Sequence, residues 1–269
     1  MKIKVFILIF LISFLIACES QKRKEYTSEG VIIREFYPNK KIKSEGIYIQ
    51  DSIRNGWYKE YFENGNLKAE DNYLNGLREG MGIDYYENNI AKSKVNFKNG
   101  KADGISLYYY PDGKIKSEGY WVNGKEFGHS IFYFKNGQLD EYGLIDFEGH
   151  GRYIRKYDES GNIIEEKGRF LGQLQFSTDF DSVRVGKEVT AELCVGQPPE
   201  CKTRVFYSEV DKNGKIGSLT ELQIKNDIAT FKKVFREKGK YKLISIGQMK
   251  DFKKNNMKSD TIYTNITVI

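Results

Sequence analysis

The chain has 269 residues, a formal charge of +6, 19 Tyr, 17 Phe and only four Pro. That length accommodates two modest domains, and a ring-rich, proline-poor balance favours strands, where aromatic side chains pack on a pleated surface. The 43 basic residues are scattered among 37 acidic ones, with no block beyond Lys22-Arg23-Lys24, which excludes the concentrated basic face of a nucleic-acid binder.

The first element is residues 1–17. Lys2 and Lys4 precede an apolar run, 5–17, interrupted only by Ser13 and ending Leu15-Ile16-Ala17-Cys18. A charged start, a short apolar middle and a small residue before the cut form the secretory pattern, and thirteen residues are too few to cross a ~30 Å hydrocarbon layer comfortably. With cysteine directly after the small residue, the segment resembles a bacterial lipoprotein signal. The resemblance implies cleavage before Cys18, diacylglycerol on its sulfur and an acyl chain on the new amine. It places the mature protein in the cell envelope, anchored through its lipid, with the outer membrane of a Gram-negative cell as the expected destination. Residues 18–30, with their short basic run, read as a tether.

The next element, 31–170, repeats with a 24-residue step. Gly65, Asn89, Gly113, Gly137 and Gly161 follow Asn64, Asn88, Asp112, Asn136 and Ser160. Asn-Gly and Asp-Gly pairs are the strongest short-range hairpin signal, because both residues accept the positive φ of a type I′ turn. Tyr61, Tyr85, Tyr109, Tyr133 and Tyr157 form a second column with the same step, and Asn75-Gly76, Asn99-Gly100 and Asn123-Gly124 lie between the turns. Each unit therefore reads as strand, turn, strand, short turn. A lone hairpin is marginal in water, so the units are expected to stack as a long antiparallel meander with irregular terminal copies.

At these residues the chain resembles a known family. Tyr109-Tyr110-Pro111-Asp112-Gly113-Lys114-Ile115 with Asn123-Gly124-Lys125 is similar to the bacterial variant of the MORN repeat, as are Tyr61-Phe62-Glu63-Asn64-Gly65-Asn66-Leu67 and the copy at 132–139. Proteins carrying this repeat are often labelled YwqK-type antitoxins, which implies binding to a protein partner rather than chemistry. Eukaryotic relatives are associated with membranes and scaffolding.

After about residue 171 the step is lost. Candidate strands fall at 183–185, 188–195, 203–210, 219–224, 229–236, 241–246 and 261–268. Seven short strands in about a hundred residues suggest a small Ig-like β-sandwich over 171–269, with Tyr241 placed like the tyrosine corner of that fold. Cys194 and Cys201, an even pair in an oxidising compartment, read as a disulfide closing a hairpin loop. A two-cysteine metal site lacks partner ligands, because the two histidines, His129 and His150, lie in another segment.

The fold expectation is thus all-β: a hairpin-repeat meander followed by an Ig-like sandwich. Signatures of a phosphate loop, a zinc helix or a nucleophile elbow are missing from the sequence. His129 and His150 read as exposed loop histidines, and Glu165-Glu166 alternate across a strand and cannot act as a pair. No catalytic residue, metal or cofactor is expected. The leading reading is a non-catalytic envelope lipoprotein binding a protein or glycan through its sheet, with Trp57, Tyr61, Tyr85, Tyr109, Trp121, Tyr133 and Tyr157 as the candidate surface. A periplasmic immunity-type protein is the alternative, and a cell-envelope enzyme the second alternative.

Overall fold

A computed structural model describes residues 22–50, 52–176 and 183–269. The signal segment and Cys18 lie outside the described residues. Among the described residues every element is a strand, and no helix is long and apolar enough to cross a membrane. The chain divides into two compact units, one running to Lys101 with Pro111–Gly113, the other comprising Ala102–Tyr110 and Lys114–Ile269.

The first unit contains β1 (Lys22–Thr27), β2 (Gly30–Phe36), β3 (Ile42–Ile49), β4 (Ile53–Tyr61), β5 (Leu67–Leu74), β6 (Leu77–Arg78), β7 (Gly80–Tyr85) and β8 (Ala91–Lys98). They lie in chain order as an antiparallel meander, with the two-residue β6 pairing off β5. The residues expected as a tether include β1, which pairs along its whole length with β2, from Lys22 opposite Glu35 to Thr27 opposite Gly30.

The second unit continues the pattern with β9 (Lys101–Tyr109), β10 (Ile115–Val122), β11 (Lys125–Tyr133), β12 (Leu139–Ile145), β13 (Gly151–Tyr157) and β14 (Ile163–Gly168). Two four-stranded sheets complete it: β15 (Leu171–Phe176), β16 (Glu188–Val195), β20 (Ile228–Val234) and β19 (Ile224–Lys225) in one, and β18 (Thr220–Leu222), β17 (Cys201–Val210), β21 (Gly239–Asp251) and β22 (Asn256–Val268) in the other. Lettered in chain order these are A-B-E-D and C′-C-F-G, the strand order of an Ig-like sandwich. The Tyr241 hydroxyl, near the start of strand F, donates to the Glu237 carbonyl at 2.9 Å, as a tyrosine corner does.

The turns differ from the type I′ expectation in an instructive way. Gly65, Gly113, Gly137 and Gly161 have φ between +79° and +96°, but the residues before them do not share a positive φ. In the first of these turns Phe62 N donates to Asn66 O and Gly65 N to Phe62 O. This is a three-residue loop, a type I turn closed by a left-handed residue in a bulge. Asn89 fills the same role at φ 65°, because asparagine tolerates the left-handed region better than other side chains. The type I′ turns are instead Asn75-Gly76, Asn99-Gly100 and Asn123-Gly124, where both residues are left-handed.

Hydrogen bonds between successive copies explain the 24-residue step. Gly76 N donates to Arg54 O and Gly100 N to Arg78 O in the first unit, and Gly124 N to Ala102 O in the second. Asn75 N, Asn99 N and Asn123 N are received by the side chains of Asn55, Glu79 and Asp103. Asn39, Asn88 and Asn136 each donate from Nδ2 to a carbonyl of the next turn, those of Glu63, Pro111 and Glu159.

In the second unit one core serves both architectures. Phe127, Ile131, Tyr142, Leu144 and Tyr153, from one face of β11–β13, join Leu193, Val205, Phe231, Leu243, Met249 and Ile266 of the sandwich in a single buried cluster. The proposed disulfide is absent: Cys194 and Cys201 are free thiols. Cys194, the penultimate residue of β16 in one sheet, bonds the Ile145 carbonyl, whereas Cys201 opens β17 in the other and receives the Arg155 guanidinium. The short loop crosses between sheets rather than closing a hairpin within one, so the two sulfurs serve different partners.

Candidate functional site

The tyrosine column is a structural ladder over most of its length. In the first unit Tyr61 donates to Glu45 Oε1 at 2.7 Å and Tyr85 to Glu70 Oε1 at 2.5 Å. Burial, then the neighbouring carboxylate, pushes both phenols up to about 12. Trp57, four residues before Tyr61 on β4, shares its face and is half-buried. In the second unit Tyr109 and Tyr133 are half-buried, and burial with the Glu118 charge raises the Tyr133 phenol. Tyr157 is 1% exposed and donates to Glu200 Oε2 at 2.7 Å, under the sandwich. Trp121 does not belong to the column. It pairs with Gly104 and donates from Nε1 to Ser106 Oγ at 2.8 Å, which puts it on the face opposite Tyr109.

That opposite face carries a row of small residues in the second unit, covered at its β9–β10 end by side chains: Ser106 is 1% exposed beneath Trp121, and a Cβ on Gly119 would stand 3.0 Å from Glu126 Oε1. Register places Ser106, Gly119, Ser130 and Gly143 side by side across β9–β12, a span of roughly 14 Å at the usual strand spacing. Beside it runs the next row, Tyr108, Ser117, Phe132 and Glu141, in which Tyr108 and Phe132 are 38% and 39% exposed. Trp121 lies across the β9–β10 end of the small-residue row, over Ser106. Toward β13 and β14 that row gives way to an open depression of about 580 Å³ lined by Gly143, Ile145, Ile154 and Lys167. A Cβ on Gly143 would have no neighbour nearer than 3.6 Å. The rim charges neutralise one another: Lys156 lies 3.3 Å from Glu141 and 3.8 Å from Glu165, and Lys167 lies 2.7 Å from Glu165.

The first unit likewise covers this face with its own side chains. Tyr58 lies over Gly46, where a Cβ would stand 2.7 Å from its ring, and Asp71 lies over Gly82. Arg54 caps the Tyr58 ring at 3.6 Å and donates to the Tyr73 hydroxyl, while Arg78 pairs with Asp71 at 3.2 Å and covers Phe97.

The titratable clusters of the second unit are built as ties. His129, expected in an exposed loop, is 20% exposed. Its Nδ1 lies 2.5 Å from Asp227 Oδ2 and its Nε2 3.2 Å from Glu118 Oε1, so neither ring nitrogen faces a nucleophile. Cys194 is fully buried, and that burial raises its thiol far from reactivity. Asp146, Glu148 and His150 place one ligand atom each within 4.8 Å of the others, the one such trio among the described residues. Asp146 is already committed, accepting Glu148 N and His150 N on Oδ1 and the Arg152 guanidinium on Oδ2. Sequence reasoning overlooked this trio and the cluster in which Arg155 meets Glu166, Asp251 and Cys201, because their members are far apart in the chain or look like turn residues. The one available signal was an arginine, Arg155, in an inward-facing strand position.

Compared with known families, the chain matches the model of the MORN repeat variant at residues 30–50, 54–75 and 102–123. The last two matched segments each span one strand, its three-residue loop, the next strand and part of the Asn-Gly turn. No curated protein matches the chain.

Proposed function

We propose that this is a non-catalytic, lipid-anchored protein of the cell envelope that holds a protein or glycan partner in the open depression of its second unit. The observation that carries the reading is the open depression lined by Ser130, Gly143, Ile145, Ile154 and Lys167, flanked by the row of partly exposed Tyr108 and Phe132, with Trp121 closing the β9–β10 end over Ser106. Small residues let an extended chain approach the backbone, and partly exposed rings supply apolar contact at low entropic cost. With Glu141, Lys156, Glu165 and Lys167 paired among themselves, the surface favours an uncharged segment, since a charged one would have to break those pairs. MORN repeats themselves often mediate protein or membrane binding, in keeping with this reading. The anchor is supported by Lys2, Lys4, the apolar run and Leu15-Ile16-Ala17-Cys18.

The test is a crosslinking pull-down of the tagged, lipidated protein from its own envelope, beside a variant carrying Tyr108→Ala, Trp121→Ala and Phe132→Ala. Partners captured by the native protein and lost by a folded triple variant support the proposal. Identical capture by both refutes it. Mass analysis of the N-terminal peptide tests the anchor separately: an unmodified Cys18 behind an intact signal removes that half of the reading.

A further inference from the structure

His129 sits at a seam between the repeat sheet and the sandwich. It lies beside Gly128, whose φ of +74° marks the bulge in β11 where the register shifts against β10. Asp227 belongs to the β19–β20 turn, where Asn226 and Asp227 are both left-handed, and is itself nearly buried. The Asp227 carboxylate accepts the His129 backbone N–H at 3.1 Å and meets the ring Nδ1 at 2.5 Å, while Glu118 on β10 meets Nε2. Both ring nitrogens therefore point at carboxylates 109 residues apart in sequence. An imidazolium has two N–H donors for them, but a neutral imidazole has one, leaving the other carboxylate against a lone pair.

We propose that His129 is a proton-dependent clasp: protonated, it locks the Asn226-Asp227 turn of the sandwich onto the β11 bulge, and loss of that proton to solvent loosens the seat. The ionisable groups around the clasp are Asp227 from the β19–β20 turn, Glu118 from β10, Tyr133 from β11, Tyr142 from β12, Asp146 from the β12–β13 turn and Cys194 from β16. Burial by itself would lower the His129 pKa, but the Asp227 hydrogen bond and charge, with those of Glu118, raise it above the ordinary value. A histidine raised on folding stabilises the folded state below its unfolded pKa of about 6.5, and the stabilisation disappears as pH climbs through the folded value. The clasp tightens in acid and slackens in base.

The chain has two histidines, which makes the test clean. Proton NMR of the native protein, with His150→Gln to assign the remaining imidazole, is expected to show His129 titrating above about 6.5. Thermal unfolding from about pH 6 to about pH 9 is expected to show a fall of the midpoint, by about 2–4 °C, that a His129→Gln variant lacks. Titration at or below the ordinary value, or superimposable pH profiles for the two proteins, overturns the proposal. Should His129→Gln fail to fold, the imidazole titration decides alone.

Discussion

Arg155 on β13 and Asp251 at the end of β21, both without exposed side-chain surface, form an ion pair at 2.8 Å across 96 residues of chain. The same guanidinium reaches Glu166 at 2.6 Å and Cys201 Sγ at 3.3 Å. Removing one partner of a buried pair leaves an uncompensated charge, at a cost of about 3–5 kcal/mol. Arg155→Met is expected to lower the unfolding free energy by that amount. Asp251 is the group left without the Arg155 cation, keeping the backbone N–H groups of Lys253 and Lys254 on Oδ1, whereas Glu166 keeps Lys254 and Lys258. Urea denaturation, which leaves charge pairs unscreened, measures it; a loss under about 1 kcal/mol would mean that water reaches Asp251.

Glu166 predicts an acid dependence. Burial would raise its pKa, but hydrogen bonds from Lys254, Lys258, Tyr153 and Arg155 hold the carboxyl well below the usual range. A carboxyl depressed on folding stabilises above its unfolded pKa of about 4.3, and that contribution is lost as pH falls through the folded value. Glu166→Gln is therefore expected to be less stable than the native protein at neutral pH, with the gap narrowing below about pH 4. A gap that stays constant through the acid range would contradict the assignment.

Two glycines with nearly equal positive φ should respond unequally to a methyl group. Gly137, φ +87°, has nothing within 4 Å of its would-be Cβ, whereas that of Gly168, φ +90°, falls on the Arg152 carbonyl. Gly137→Ala should cost only the left-handed penalty, about 1–2 kcal/mol. Gly168→Ala should cost clearly more, because Arg152 O also receives Arg169 N and cannot retreat without breaking that bond. Equal midpoints in a thermal melt of the two variants would show that the β13–β14 edge yields.

What the sequence made legible was local. The 24-residue columns marked the repeating hairpins but not the β1–β2 hairpin, which lies in residues read as a tether, and the turn glycines at 65, 113, 137 and 161 were found because positive φ leaves a residue signature. Turn type was not legible, since Asn-Gly serves a type I′ turn and the start of a bulge loop equally well. Tyr157 and Tyr61 look identical in the repeat; only the sandwich that covers Tyr157 separates them. The ends of β21 and β22, with Gln248, Lys250, Asn256 and Lys258, read as loop because their residues are polar and what holds them extended is the long-range pairing of the two strands, with Lys258 reaching Glu166. The open depression beside Gly143 is a cross-strand feature, and its register comes from bulges that no single strand encodes.

The thiols provide the last prediction. Cys194 is buried, and burial followed by the charges of Asp227 and Asp146 drives its pKa up; burial pushes Cys201 up to about 11. Alkylation proceeds through the thiolate, so at about pH 8 the folded protein should leave Cys194 unlabelled and take up reagent at Cys201 far more slowly than an exposed thiol with its ordinary pKa near 8.5. In denaturant both should react without prior reduction, because each sulfur is held by a separate partner, the Ile145 carbonyl and the Arg155 guanidinium. Peptide mapping that finds 194 and 201 linked in the untreated protein would require the β16–β17 connection to close within one sheet and Arg155 to surrender its contact with Cys201. The Arg155→Met variant supplies the control: with the guanidinium gone, Cys201 should become no more acidic, and its labelling in the folded protein should not accelerate unless the seam itself has opened.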